Sequence, residues 1–312
     1  MSDVWGNYWE KGHSTTFGEY YSDGYTRGYI AEWIKQIVKS HSGKQRSILE
    51  VGCGNASLLP CLYDLNVTGN YVGIDAAKIQ ISASAIKRQK DTLKIDILSE
   101  TPVEEFKTDQ NFDLILSIYG IEYSKVDYSL PILKNCLSAK GNIFLLMHYA
   151  DSYIYSKSQQ AIKEFDFKTM EKVIAKLNTV NNELNKFDGN PKKLSQSKKA
   201  EKSREFLNRF ISKIMSESPN QRNPIMVDFC QKILLFFKKI RDSKLERKNH
   251  IDSIMPDFIA SKERFLQMVN VAKNKKEMDI FKTKMEASGF KNVIINPVEI
   301  ERGPVAWSVQ AD

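Results

Sequence analysis

The stretch from Lys44 to Leu59, KQRSILEVGCGNASLL, constrains this chain more than any other. Ser47, Ile48, Leu49 and Val51 read as the tail of a short buried strand that stops at Gly52-Cys53-Gly54, and Asn55 to Asp64 is expected to start a helix. Glycine suits a place where the backbone turns sharply and lies close to a ligand, because a Cβ would clash there. The helix that follows offers free N–H groups to polar ligand atoms. A glycine pair after a strand also occurs in nicotinamide-binding folds, so the turn alone does not choose its ligand. Two details bear on the choice. Glu50 stands two residues before the first glycine, where it can accept from an amino acid's ammonium. Ser57 holds the third glycine position of the dinucleotide fingerprint, where pyrophosphate-binding turns want Gly or Ala. An ordinary tight strand-to-helix turn is the competing account.

The run EVGCGNAS resembles motif I of the class I S-adenosylmethionine-dependent methyltransferases, with Ala56 where many members carry a third glycine. The resemblance implies an α/β fold: a Rossmann-like, seven-stranded, mostly parallel sheet. It also implies S-adenosyl-L-methionine as cofactor, S-adenosyl-L-homocysteine as product, and cofactor contacts from Glu50, Gly52, Cys53 and Gly54. Asn70 to Asp75 reads as the second strand, and Asp75 at its tip can accept both ribose hydroxyls, with Ala76 beside it. The competing role for Asp75 is N-cap of a helix over Ala76 to Lys90. Leu93 to Ile97 reads as the third strand, and the resemblance puts Asp96, with Ile97, near the adenine; a surface turn residue is the alternative.

Asn111 to Ile118 is an apolar strand of the fully buried, parallel type. Ser117 and Tyr119 join the expected cofactor contacts, and in the family the loop from Tyr119 to Ser124 faces the transferred methyl group. This loop lacks the Asn/Asp-Pro-Pro-aromatic sequence of enzymes that methylate exocyclic base nitrogens, and it has no cysteine nucleophile. A helix over Leu130 to Leu137 and a strand over Asn142 to His148 follow. His148 emerges at the carboxyl end, where ligands of open α/β sheets bind, so it is the first candidate for a general base. His13 is the second, and Glu122 and Tyr123 are expected to shape the pocket. A purely structural histidine is the alternative for His148.

The rest of the chain divides around that core. Residues 1–42 are rich in aromatics and glycine and read as a lid followed by a helix through Ile30, Trp33, Ile34, Ile37 and Val38. Their earlier part has too many Gly, Ser and Thr for a helix, and an arm packed on the core is the alternative. Residues 43–150 and 276–312 make the cofactor-binding core. It ends in a helix over Lys276 to Ser288 and an antiparallel strand pair, Lys291 to Val298 and Val305 to Gln310. Residues 151–275 show helical spacing throughout and read as an inserted cap of three or more helices after the fifth strand. Its run KKLSQSKKAEKSR is expected to be a mobile, solvated loop.

Charge singles out the same insertion. Residues 155–250 carry 22 basic and 11 acidic side chains, whereas residues 1–154 carry 15 and 18, in a chain of net charge +8. Four scattered cysteines and four histidines show no metal-ligand spacing, so no metal is expected, and single cysteines suit a reducing compartment. The N-terminus has no signal-type apolar core, and apolar runs such as Ile143 to Met147 are too short to span a bilayer, so a cytoplasmic protein with no membrane partner is expected. The leading expectation is methyl transfer to oxygen or nitrogen of a small-molecule acceptor enclosed by core, lid and cap. The alternatives are an RNA (tRNA or rRNA) methyltransferase using the basic cap, with nucleic acid as second-choice partner, and a catalytically silent cofactor-binding scaffold. Oligomeric state and the acceptor's identity stay open.

Overall fold

The computed structural model describes residues 4–16, 18–40, 46–218 and 221–312. Residues 1–3, 17 and 41–42 of the expected lid, 43–45 of the expected core and 219–220 of the expected cap lie outside them. Seven strands form one sheet: β1 (Arg46–Val51), β2 (Gly69–Ile74), β3 (Leu93–Leu98), β4 (Phe112–Ile118), β5 (Leu137–His148), β6 (Ile294–Ile300) and β7 (Gly303–Ala311). Their order is β3-β2-β1-β4-β5-β7-β6. The first five run parallel, and β7 lies antiparallel between β5 and β6. The α/β, mostly parallel architecture is therefore as expected, with a helical insertion between β5 and β6.

Alternation along the strands feeds two cores. Ile48, Leu114, Leu116, Phe144 and Leu146 point to one face and meet α2 (Gly28–Ser40), α3 (Leu59–Asp64) and α4 (Ala83–Arg88). Leu49, Ile115, Ile143 and Leu145 point to the other and meet α5 (Val126–Cys136) and a later helix over Lys275–Ala287. Strands covered on both faces read as near-continuous apolar runs, which is why these positions do not alternate with polar residues. Each fully buried aliphatic or Phe side chain contributes roughly 1.5–3 kcal/mol. Pro297 sits within the paired part of β6, an edge strand, where its missing N–H can face solvent.

Local structure departs from the sequence expectations in four places. The helix after the glycine turn begins at Leu59, because Gly54 and Ala56 both hold positive φ, 51° and 59°, which keeps residues 55–58 in turns. The next helix begins at Ala83, capped by Ser82, so Asp75 is not its N-cap. A helical turn, α1 (Val4–Trp9), forms near the N-terminus, where none was expected. Its Trp5, Tyr8 and Trp9 lie one turn apart and pack ring against ring, and packing outweighs weak propensity in so short a helix. The basic run is ordered: a 3₁₀ turn over Pro191–Gln196 leads into a helix at Lys198, and the Ser197 hydroxyl accepts from Ala200 N at 3.2 Å.

The chain divides into two compact units, residues 1–156 with 268–312, and residues 157–267. Within the first, α1 and α2 belong with the sheet. The insertion comprises α6 (Tyr153–Glu164), α7 (Phe167–Lys186), α8 (Lys198–Ser216), α9 (Pro224–Lys238) and α10 (Lys244–Val271), and α11 (Lys275–Ala287) returns the chain to the sheet. The second unit has its own core, including Met170, Leu177, Leu207, Phe229, Phe236 and Ile254. Arg247 is buried beside it at 3 % exposure, donating from Nε to Asn181 Oδ1 at 3.0 Å, from Nη2 to Asn185 Oδ1 at 2.6 Å and from Nη1 to the Asp242 carbonyl. This unit carries 24 basic and 14 acidic side chains, against 22 and 24 in the first.

Within the first unit, the segment leaving β5 is joined to the returning segment. Tyr149 and Lys273 form a bridge, Lys273 N donates to the His148 carbonyl at 2.9 Å and Ala150 N to the Lys273 carbonyl at 3.0 Å. Trp307 Nε1 donates to that same carbonyl at 2.8 Å.

Candidate active site

The carboxyl ends of the five parallel strands lie along one edge of the sheet, where ligands of such folds bind. At the end of β1, Gly52 takes a φ of 71°, and a Cβ there would come 2.7 Å from Gly120 Cα. Gly52 is glycine because the turns after β1 and β4 touch. Gly52 N and Cys53 N donate to the Ile74 carbonyl at 2.9 and 3.1 Å, which fixes the turn to the end of β2. Burial pushes the Cys53 thiol well up, so it stays protonated and serves as packing. At Gly54 an added Cβ would meet the Trp9 indole at 2.8 Å, so α1 lies directly over the turn.

Asp75, at the tip of β2, accepts from Gly54 N and Ala77 N, both at 2.8 Å, through its two carboxylate oxygens. Burial holds its pKa above the usual carboxylate value, and these two hydrogen bonds offset only part of that rise. Ala76 beside it is exposed. Glu50 is turned inward, with the Tyr71 hydroxyl donating to Oε2; burial lifts its carboxyl to about 8, so it is mostly protonated at neutral pH. Asp75 is thus the carboxyl of this region whose oxygens both meet backbone N–H donors.

The third strand runs one residue further than the sequence suggested. Asp96 therefore lies mid-strand, opposite Val72 and exposed, short of the carboxyl edge; Ile97 lies opposite Gly73 and packs on the first core. Ser99 and Thr101 stand at the edge instead: Ser99 Oγ accepts from Ile79 N at 3.0 Å and Thr101 N donates to the Asp75 carbonyl at 2.7 Å. Ser117 is fully buried and pins the turns together, donating to the Val51 carbonyl at 2.8 Å and accepting from Ile121 N at 2.9 Å.

Beyond β4, three of the four candidate catalytic residues come together. Glu122 lies on a 3₁₀ turn, Ile121–Tyr123, and its Oε1 accepts from the backbone N–H of His148 at 2.9 Å. Tyr123 Oη is 3.4 Å from His148 Nε2, and the Tyr119 ring stacks on the imidazole at 4.4 Å. Tyr119 holds a positive φ of 56°, and its hydroxyl shares a hydrogen bond with that of Tyr29 at 2.7 Å. Burial alone drives the His148 imidazole down to about 3, so the ring is neutral at physiological pH. The same burial lifts Glu122 to about 7, against the pull of its backbone hydrogen bonds and of Lys273. His13 is not part of this group. Its ring is exposed and stacks on Tyr8 at 4.2 Å; Tyr8 then meets Trp5, and Trp5 meets Tyr123 edge-on at 5.6 Å.

Sequence reasoning missed the residues that tie the N-terminal segment to the glycine turn. Asn55 is fully buried, donating from Nδ2 to the carbonyls of Trp9 at 2.8 Å and His13 at 2.9 Å, while Oδ1 accepts from Gln80 N at 2.9 Å. Ser57 Oγ donates to the Ser14 carbonyl. An Asn or Ser after a glycine turn reads as turn chemistry, and nothing in residue type announces such distant partners. Among the described residues, no group of three or more His, Cys, Asp or Glu could hold a metal ion, and no helix is long and apolar enough to cross a membrane.

A family profile described as a methyltransferase domain matches residues 42–210, just over half of the chain. Two curated relatives named ubiquinone biosynthesis O-methyltransferase are similar over part of it. The one from Rickettsia typhi is 36 % identical over 95 residues, covering 30 % of this chain and 37 % of the relative. The one from Rickettsia prowazekii is 34 % identical over 120 residues, covering 38 % and 44 %. The chain thus matches less than half the length of either. Among solved structures, the CMeT domain of the citrinin polyketide synthase is 12 % identical with a TM-score of 0.41, covering 90 % of this chain and 50 % of that one.

Proposed function

The chain belongs to the methyltransferase-domain family, and from that premise we propose that it transfers a methyl group from S-adenosyl-L-methionine to oxygen or nitrogen of a small-molecule acceptor. The observation that carries this reading is the convergence of three features on one sheet edge. They are the left-handed turn at Gly52 to Ala56, the Asp75 carboxyl, and the buried Glu122 and His148 with half-buried Tyr123. The groups fit the cofactor in one respect: Asp75, at the tip of β2 beside the Gly52 to Ala56 turn, offers a carboxyl acceptor for ribose hydroxyls. The cofactor supplies a methyl group on a positively charged sulfur, already a strong electrophile.

The protein's part is then alignment. Holding the accepting atom in line at roughly 3–3.5 Å from the methyl group accounts for much of the rate. A neutral His148 can donate or accept one hydrogen bond, enough to fix an acceptor's polar atom. The rings of Trp5, Tyr119 and Tyr123 offer stacking and edge contacts for an aromatic acceptor and keep water out. The relatives' name, O-methyltransferase, favours oxygen as the accepting atom, and the surrounding rings suit a phenolic acceptor. A net charge of +10 on residues 157–267 is the one observation that favours RNA instead.

One assay separates these readings. Methyl-labelled cofactor is incubated with small-molecule, RNA and protein fractions, using wild type and Asp75→Ala. Label is expected in the small-molecule fraction. In calorimetry, Asp75→Ala should weaken cofactor binding about tenfold or more, on the order of 1.4 kcal/mol for a lost charged hydrogen bond. Nuclease-sensitive label would replace the small-molecule reading, and unchanged affinity would remove Asp75 from the cofactor site.

A further inference from the structure

Transfer to a hydroxyl needs a group to take its proton, and His148, as a histidine at a strand end, is the obvious choice. We propose instead that Glu122 takes the proton through Oε2, and that His148 holds the hydroxyl as a neutral hydrogen-bond partner. The proposal rests on the transferase reading above.

The geometry points to Glu122 on two grounds. Its side chain lies on the sheet edge next to both His148 and Tyr123, with Oε1 fixed by the His148 N–H at 2.9 Å. Its Oε2 is buried and has no hydrogen-bond partner among the described residues. A buried carboxyl oxygen left unsatisfied is costly, and the cost disappears when a ligand's hydroxyl donates to it. The groups facing the carboxyl are Tyr119 and Tyr123 on its own loop, His148 on β5, and Lys273 on the segment bridged to Tyr149. Lys273 is the charged one of these, and it favours the ionised carboxylate. Burial opposes it, and the balance leaves Glu122 near 7, where a general base works best at neutral pH. His148, held near 3, binds a proton too weakly to compete.

The step balances. A lone pair of the acceptor oxygen forms the new O–C bond, the C–S bond breaks with its electron pair left on sulfur, and the hydroxyl proton passes to Glu122 Oε2. The products are a methyl ether, a neutral thioether and a protonated Glu122.

Glu122→Gln is the informative variant, because its amide oxygen can still accept from the His148 N–H. The first readout needs no substrate: infrared difference titration of the folded protein between pH 5 and 9. Wild type should show a carboxyl signal with a midpoint near 7 that Glu122→Gln lacks. The Glu50 signal, near 8, should persist in the variant and vanish in Glu50→Gln. The second readout is transfer to 3,4-dihydroxybenzoate as a phenolic probe. The wild-type rate should rise with pH through about 7; Glu122→Gln should lower kcat about a hundredfold or more and abolish that rise, with cofactor affinity within about twofold. His148→Asn should raise KM yet keep the rise. No loss of carboxyl signal on going from wild type to Glu122→Gln, or a near-neutral carboxyl signal that remains in the double variant Glu50→Gln/Glu122→Gln, overturns the proposal. So does a pH-dependent rise lost in His148→Asn and kept in Glu122→Gln. Wild type with the infrared signal but no transfer to the probe overturns the phenolic acceptor class, while Glu122's ionisation stays supported.

Discussion

Gly52→Ala tests whether the turns after β1 and β4 touch as closely as the structure has them. The substituted residue would carry two costs. A non-glycine residue at a φ of 71° costs roughly 1–2 kcal/mol against the right-handed region. Its Cβ would also lie 2.7 Å from Gly120 Cα, whereas carbon atoms prefer about 3.5–4.0 Å, so the two loops must part by about 1 Å. Overpacking of that kind costs roughly 1–3 kcal/mol. Gly12→Ala is the internal control: φ there is 78°, but nothing lies within 4 Å of the added Cβ, so only the first cost applies. The difference between the two variants, roughly 1–3 kcal/mol, isolates the contact. In a unit of about 200 residues, each kcal/mol moves Tm by roughly 2–4 °C. Gly52→Ala should therefore melt roughly 2–12 °C below Gly12→Ala in circular-dichroism scans. Calorimetry should also find weaker cofactor binding in Gly52→Ala alone. Equal melting of the two variants would refute the close approach, and with it the account of why residue 52 is glycine.

Two further substitutions probe other buried groups. The Glu50 carboxyl is raised from near 4.5 to about 8 by burial, so its stabilising contribution is complete below pH 4.5 and is lost as pH rises to about 8. Glu50→Gln, which cannot ionise, should melt at a temperature that climbs relative to wild type across pH 5–8; a constant difference would mean that the carboxyl is not desolvated. Arg247→Leu leaves the oxygens of Asn181, Asn185 and Asp242 without their donor, at a cost of roughly 2–4 kcal/mol. Amide exchange should quicken across residues 157–267 and stay unchanged in β1 to β5; unchanged exchange in that unit would show that the buried guanidinium does not hold it together.

The parts legible in the sequence are those where residue type leaves few options. Strands β1, β4 and β5 carry apolar runs on both faces, Ile48-Leu49, Leu114 to Leu116 and Ile143 to Met147, because both faces are covered, and Gly52 marks a close backbone approach. His148 and Glu122 could be found because one ends such a strand and the other lies in the loop after one, which places both at the carboxyl edge of the sheet. Other features depend on partners far away in the chain. Ala56 at a φ of 59° delays the helix to Leu59, yet nothing about alanine signals that conformation. Asp96 was misplaced relative to the edge because strand ends are set by pairing, here Leu98 with Ile74, rather than by composition. Charge alone makes the basic run look mobile. It is helical because Ser197 caps it and because Ala200, Ser203 and Leu207 bury one face.

The position of β7 between β5 and β6 governs the order in which the protein can be completed during synthesis. The outer edge of β5, apolar from Ile143 to Met147, waits for a partner that is translated about 150 residues later. At 5–20 residues per second the ribosome needs roughly 8–30 s to supply it. Throughout that interval an unpaired strand edge is exposed, the kind of surface that invites aggregation. Residues 157–267 emerge in the same interval and draw their buried core from within themselves, so that unit can fold before the sheet closes. The nascent protein is then a folded helical unit tethered to an unfinished sheet, and chaperone demand should be greatest while β5 is still open.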